Sequence, residues 1–274
     1  MTEPYVPQLN LVYPEKLDDR MIKFKAVHDI TIDENYPFLD KSPKFKFMRN
    51  VIYTIIYTIG AFISPVRTGL KIEGRENLRK YKDLFKNGAL TVCNHVYRWD
   101  FVFIVRAVRF HKLYFPVWKE QLKSKDRDLI RYAGGIPVPD EINLIKYFNK
   151  AFDEIHEMKT WIHVFPEGSR FDFFQPIRPF KKGAFTMAYR YDLPVIPLAF
   201  SYRKPCFPFT ILNFLRTLIG EEKKPMVTLR MGEPILIDKD LPRKEAVTKL
   251  RKECHAAVVR LAGISENKYP AEGD

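Results

Sequence analysis

The run GALTVCNHVYRWD, residues 88–100, decides the reading of the fold. Ala89 to Cys93 is a short apolar, strand-like stretch behind Gly88, and Asn94-His95 interrupts it with two polar side chains. From Phe101 the segment FVFIV continues in helical register toward His111. The order is strand, polar loop, helix. Such a loop stands at the C-terminal end of a strand, where α/β folds keep their sites.

Outward from this run the order recurs. Leu113 to Val117 is strand-like, Ile145, Phe148, Phe152 and Ile155 give 143–158 one apolar helical face, and Trp161 to Phe165 is again strand-like. Ala184 to Tyr191 reads as a helix, Val195 to Ser201 as a strand, Val227 to Ile237 as a hairpin-like pair, and Arg243 to Leu261 as a terminal helix. Strands alternating with helices predict an α/β fold, a mixed central sheet flanked by helices. The 274 residues suffice for one such domain with appendages. The expected organisation is a proline-punctuated N-terminal arm over 1–43, a membrane-associating helical segment over 44–71, the α/β domain over 72–262 and a mobile tail over 263–274.

Composition narrows the classes. With 46% hydrophobic and 14% aromatic residues and only 12 Gly, the chain is neither disordered nor collagenous. Cys93, Cys206 and Cys254 form no disulfide framework and no CxxC pattern, and the six His include no ligand-spaced pair, so neither a metal nor a bound cofactor is expected. The first twenty residues lack the apolar core of a signal peptide, and the chain reads as cytosol-facing. A net charge of +13 calls for an anionic partner. Its basic residues are spread along the chain rather than striped on one element, which argues against nucleic acid.

Asn50 to Val66, NVIYTIIYTIGAFISPV, holds no charged residue. As a helix it would span about 26 Å, short of the ~30 Å hydrocarbon layer, so it can dip into a bilayer more easily than cross it. A buried core helix is the plain alternative. Flanking Lys44, Lys46, Arg49 and Arg67, with Tyr53 and Tyr57, favour an anionic lipid surface. The expected membrane-contact set is Lys46, Arg49, Ile52, Ile55, Ile56, Ile59 and Phe62, in a peripheral or monotopic arrangement on the cytoplasmic face. A second apolar patch, CFPFTILNFLRTLIG over 206–220, is either ordinary core or a surface that meets lipid or an acyl chain.

Chemistry concentrates in two loops. On a regular helix His95 and Asp100 would lie about 140° apart, so they can touch only if His95 precedes the helix. At the expected strand-to-helix junction Asp100 can accept the Nδ1 proton and leave Nε2 free as a base. That is a general-base dyad without a nucleophile; a structural histidine is the plain alternative. The second loop, FPEGSR at 165–170, also follows an apolar strand. Pro166 and Gly168 force a turn, Ser169 can bond loop amides, and Arg170 offers a planar fork suited to phosphate. Arg178, Lys181 and Lys182 follow, either a solvated face or part of an anion site.

NHVYRWD, FPEGSR followed by FKKGA (180–184), and VIPL (195–198) stand in the order and spacing of the glycerophospholipid acyltransferase family. The chain resembles that family over about 44–261, and within it the branch that acylates 1-acyl-glycerol 3-phosphate. The resemblance implies that His95 deprotonates the acceptor hydroxyl, that Asp100 orients His95, and that acyl transfer from a thioester is direct. It also implies that Glu167 and Arg170 hold the glycerol-phosphate end. Gly168, Ser169 and Lys182 complete the candidate phosphate set, and Lys119 assists at the oxyanion or phosphate. Implied partners are lysophosphatidic acid, acyl-CoA or acyl carrier protein, and anionic membrane lipids, with phosphatidic acid as product. The same chemistry on glycerol 3-phosphate or another lyso-phospholipid is the alternative. Two departures stand out. Ile136 to Asp140 lacks the basic residue the family usually carries after Gly134-Gly135, leaving that contact to Lys146 or the 178–182 cluster, and Tyr97 replaces a small Ser.

Overall fold

The computed structural model describes residues 5–272. Seven strands form one sheet: β1 (Lys71–Glu73), β2 (Leu90–Cys93), β3 (Leu113–Trp118), β4 (Gly135–Val138), β5 (Trp161–Val164), β6 (Val195–Arg203) and β7 (Met226–Met231). Their spatial order is β1-β7-β6-β2-β5-β3-β4. All neighbours run parallel except β6 and β7, so the sheet is mixed, as the alternation predicts. Among the described residues ten α-helices accompany it: α1 (Pro43–Tyr57), α2 (Ile59–Thr68), α3 (Glu76–Lys80), α4 (Asp100–Ala107), α5 (Lys119–Lys123), α6 (Arg127–Ala133), α7 (Ile145–Glu157), α8 (Gly183–Tyr191), α9 (Phe209–Leu218) and α10 (Arg243–Ala262).

Alternation along β2 explains the layers. Leu90 and Val92 enter one core with Phe152 and Ile155 of α7, Phe185 of α8 and Leu250 and Val258 of α10. Cys93 faces the other, built with Tyr53 and Ile56 of α1 and Phe103 and Ile104 of α4. Central strands buried on both faces are what parallel pairing demands. Because β2 and β5 are parallel, with Val92 opposite Val164, the loops that follow them emerge side by side. This juxtaposition creates the site.

Four expectations change. The apolar run at 50–66 is not one helix: α1 ends at Tyr57, where Thr58 bonds back to the Thr54 carbonyl at 2.7 Å, and α2 continues after a 44° bend. Among the described residues no single helix is long and apolar enough to cross a membrane, though this bent pair passes together. Of the expected membrane-contact set, Arg49 and Ile56 are buried, and Ile52 packs partly against the cores. Arg49 donates to the Leu113 carbonyl at 2.8 Å and lies 3.8 Å over the Tyr114 ring, because a long basic side chain inside α1 finds a carbonyl at the start of β3. Lys46, Ile55, Ile59 and Phe62 do face outward.

The 227–237 segment is no hairpin. β7 pairs with β6 and β1, and only Ile235 makes a bridge, to Val195; Pro234 has no amide to extend a ladder. The tail expected to be mobile is docked through Glu272. Asn267 exchanges hydrogen bonds with the amide and carbonyl of Ile177, and Phe180 donates to the Ala271 carbonyl. The first four residues of the arm and the last two of the tail lie outside the described residues.

Candidate active site

Asn94 ends β2 with its side chain rather than its backbone. Its amide group exchanges two hydrogen bonds with Phe200 of β6, so the main chain is released from the sheet at His95. The chain then turns over Val96 to Trp99 and enters α4 at Asp100. One carboxylate oxygen of Asp100, Oδ2, accepts from the amides of Val96 (2.7 Å) and Tyr97 (2.9 Å) and stands 2.9 Å from His95 Nδ1. A carboxylate in the first turn is favoured by the helix dipole, and here it fixes the loop and the imidazole at once. His95 thus sits before the helix, as contact requires.

Asp100 is fully buried, whereas the His95 side chain keeps 18% of its surface open. Burial drives the Asp100 carboxyl above its ordinary value while the two amides draw it down. Burial and the Arg170 guanidinium push His95 down to about 3. The resting imidazole is therefore neutral, with Nδ1–H donated to Asp100 and Nε2 available to take a proton. Its ring stacks on Phe165 at 3.9 Å between centroids, and His163 meets the other part of Phe165 edge-on at 4.4 Å. Burial also lowers His163 to about 3; its Nδ1 lies 2.8 Å from Thr91 Oγ1. Cys93 is buried and its thiol is raised well above the ordinary value, so it offers no thiolate.

The 165–172 loop braces this dyad from below. Glu167, expected at the substrate phosphate, is instead committed internally. Oε2 accepts from the His95 amide (3.1 Å) and Arg178 Nη2 (2.9 Å), and Oε1 accepts from the Arg178 amide. Both charged side chains are only 2% exposed. A carboxylate so enclosed positions its neighbours and repels rather than binds phosphate. Ser169 is likewise turned inward, with Oγ accepting from Arg178 Nη1 at 2.9 Å. Arg178, one of the basic residues offered for the anion, is 1% exposed and stacked 3.9 Å over Phe171.

Arg170 does lie beside the dyad, paired to Asp172 at 2.7 Å and 17% exposed. Gly168 adopts φ +81°, a conformation that suits glycine, and a Cβ there would meet Lys181 at 3.0 Å. Its carbonyl accepts from Trp118 Nε1 at 2.8 Å, which joins the turn to the end of β3. Lys119, the next residue, is ion-paired with Asp140. Lys182 is exposed at the start of α8, while Lys181 is the lysine that lies over the turn. Lys146 is exposed on α7, and its ammonium lies over the Tyr147 ring. Tyr97 is buried between Phe103 and Phe173.

Sequence reasoning missed the arm. Tyr13 donates to the Asp172 carbonyl at 2.8 Å, the Leu17 carbonyl accepts from Arg178, Asp18 pairs with Lys181 at 2.9 Å, and Arg20 lies 3.8 Å over Trp118. Residues 13–20 thus run from Asp172 past Arg178 and Lys181 to the end of β3. No period or motif in 1–43 announces this. Phe165, also missed, was detectable as the last apolar residue before the Pro-Glu-Gly turn.

A neutral imidazole held by a carboxylate, at the C-terminal ends of parallel strands and next to an arginine-bearing turn, is equipped for base chemistry on a substrate carrying an anion. Residues 69–201, which run from before β1 into β6 and contain both loops, match the family model described as Acyltransferase. Among solved structures the fold is similar to the 1-acyl-sn-glycerophosphate (LPA) acyltransferase PlsC from Thermotoga maritima. The identity is 18% over 82% of this chain and 85% of that one, with a TM-score of 0.51. No curated protein matches the sequence.

Two outcomes follow from the buried charges. Glu167→Gln keeps the shape but leaves the Arg178 guanidinium without its anion, so urea unfolding should show a loss of about 3–5 kcal/mol; an unchanged midpoint would mean that Arg178 has another counter-ion. His95 and His163 hold folded-state values below the ordinary histidine value of 6.5, so the unfolded chain takes up protons that the folded one refuses. Stability should therefore fall as pH drops from about 6.5 toward 3, and His163→Phe should flatten that decline. Unfolding midpoints of the two proteins at pH 7, 6, 5 and 4 give the comparison, and parallel curves would refute the assignment.

Proposed function

We propose that the protein is a membrane-associated O-acyltransferase that moves a fatty acyl group from an acyl thioester to the free hydroxyl of 1-acyl-glycerol 3-phosphate. The observation that carries this reading is the 2.9 Å His95–Asp100 contact beside Arg170, within the segment that matches the acyltransferase family model. His95 Nε2 takes the acceptor hydroxyl proton as the oxygen attacks the thioester carbonyl. The carbon–sulfur bond breaks, and the departing thiolate takes the proton back from the imidazolium. The products are phosphatidic acid and a free thiol, on coenzyme A or acyl carrier protein. No covalent acyl-enzyme is needed, which fits the inert Cys93.

Charge supports the order of events. His95 is a weak base at rest, in part because Arg170 stands near it unneutralised by substrate. An acceptor phosphate that exchanges onto Arg170 in place of Asp172 cancels that positive charge and raises the basicity of Nε2 when the hydroxyl arrives. Asp100 then stabilises the imidazolium. Lys181 is the further cation at the Gly168 turn, and Lys182 and Lys119 remain candidates for the phosphate on the family resemblance alone. The bent pair α1–α2 carries the membrane contact, through Lys46 and the exposed Ile55, Ile59 and Phe62, with the protein peripheral or monotopic on the cytoplasmic, anionic face.

His95→Ala should lower kcat about 10²- to 10⁴-fold with a radiolabelled acyl donor, and near-normal turnover would exclude this base. Arg170→Lys keeps the charge but loses the bidentate fork, so acceptor KM should rise with donor KM unchanged. A panel of lysophosphatidic acid, glycerol 3-phosphate and other lyso-phospholipids, assayed with that variant, identifies which acceptor depends on Arg170; equal KM for all would assign the phosphate elsewhere.

A further inference from the structure

Two helices of this protein are packed inside out. The buried residues of α9 are Phe209, Asn213 and Arg216, while Ile211, Phe214, Leu215 and Leu218 are between 50% and 66% exposed. In α2 the buried residues are Ser64 and Thr68, while Phe62 and Val66 are 75% and 59% exposed. A surface helix in water presents the opposite pattern, apolar inward and polar outward. Scattered exposed leucines need no explanation, but two adjacent helices with reversed polarity do.

The reversal is held in place by buried hydrogen bonds. Arg216 Nη1 donates to Asn213 Oδ1 at 2.9 Å, and Arg216 Nη2 reaches the Arg67 carbonyl near the end of α2 at 2.7 Å. Asn213 also accepts from the Lys224 amide and donates to its carbonyl. α9 is thus clamped to the body by its polar side, and tied to α2, so that its apolar side cannot turn inward. Residues 41–72 and 203–220 contain no Asp or Glu, and exposed Arg67, Lys71 and Lys204 border the patch. Glu221 and Glu222 follow α9, where Lys223 and Lys224 adjoin them.

We infer that α2 and α9 together form one docking face for an anionic phospholipid bilayer, with α9 as a second point of insertion distant in sequence from the N-terminal pair. This extends, and rests on, the reading of α2 as lipid-facing. Apolar side chains pointing away from the protein with a basic, acid-free border match an interfacial helix and an anionic leaflet. The face also adjoins the site. α2 packs against α4, the helix that opens at Asp100, with Gly60 lying beside Val102. A lipid acceptor drawn from the bilayer between these helices would meet the dyad's loop.

The test is co-sedimentation of the full chain with vesicles of four parts phosphatidylcholine to one part phosphatidylglycerol, in 0.15 M salt. The α9 variant Phe214→Ser/Leu218→Ser and the α2 variant Phe62→Ser/Val66→Ser should each lower the partition coefficient at least tenfold, with circular dichroism unchanged because both pairs are exposed. Binding of the α9 variant equal to wild type, with the α2 variant impaired, would overturn the role of α9 and leave the N-terminal reading standing. Wild type failing to bind at all would overturn both. A fall in sedimentation coefficient confined to the α9 variant, with vesicle binding retained, would assign the face to a second copy of the chain instead.

Discussion

A carboxylate and a guanidinium enclosed side by side under the mouth of a sheet are stable only while each keeps the other and every remaining polar atom finds a partner. Glu167 and Arg178 meet that condition, and much of the site follows from it. Glu167 grips the His95 amide, which sets where β2's loop leaves the sheet. Arg178 collects Ser169, the Ser169 carbonyl and the Leu17 carbonyl, which sets the Gly168 turn and ties down the arm. The pair lends shape to both loops without touching the reacting atoms. Removing either partner would strand a charge that has no route to water.

The dyad obeys a different electrostatic rule. Asp100 is buried with a single oxygen serving three donors, so its orientation is overdetermined before any substrate arrives. His95 is pushed below its ordinary value by burial and by a nearby cation, the opposite of what a strong resting base needs. Both facts agree if basicity is conditional on the acceptor's anion. Acting only when a phosphate has neutralised Arg170 would keep the imidazole idle toward water, and would tie proton transfer to occupancy of the correct site.

The central strands, the longer helices of the α/β domain and the His95–Asp100 contact were legible because they rest on local signals: apolar runs of strand length, one-faced helical spacing, and a loop too polar to continue a strand. β1, β4, α3, α5 and α6 were not, being three to seven residues long with no period to read, and α9 read only as an apolar patch. Glu167 and Arg49 were misplaced for a common reason. A charged residue in a motif, or beside an apolar run, reads as surface, and only three-dimensional packing reveals that Arg178 or the Leu113 carbonyl awaits it. The docked tail depends on Asn267 meeting Ile177, a contact 90 residues apart that no window could contain. The bend at Thr58 was invisible for the opposite reason, since a back-bonded threonine leaves the apolar pattern intact.

The distribution of charge decides what the excess of +13 is for. At the mouth the cations are matched by the protein's own acids: Arg170 with Asp172, Lys181 with Asp18, Lys119 with Asp140, Arg20 with Glu120 and Arg178 with Glu167. A phosphate entering there must displace an internal carboxylate, so the site is close to neutral at rest and gains little from long-range attraction. The surplus lies elsewhere on the exterior, where exposed Lys and Arg act over about a Debye length of 8–10 Å. Each basic residue near an anionic leaflet contributes about 1 kcal/mol, whereas a paired cation at a closed mouth contributes far less to encounter. On the proposed reading, the net charge would bring the protein to an anionic surface and the paired charges would choose what binds. This division requires a face with no acid of its own, and the reversed helices α2 and α9 supply one.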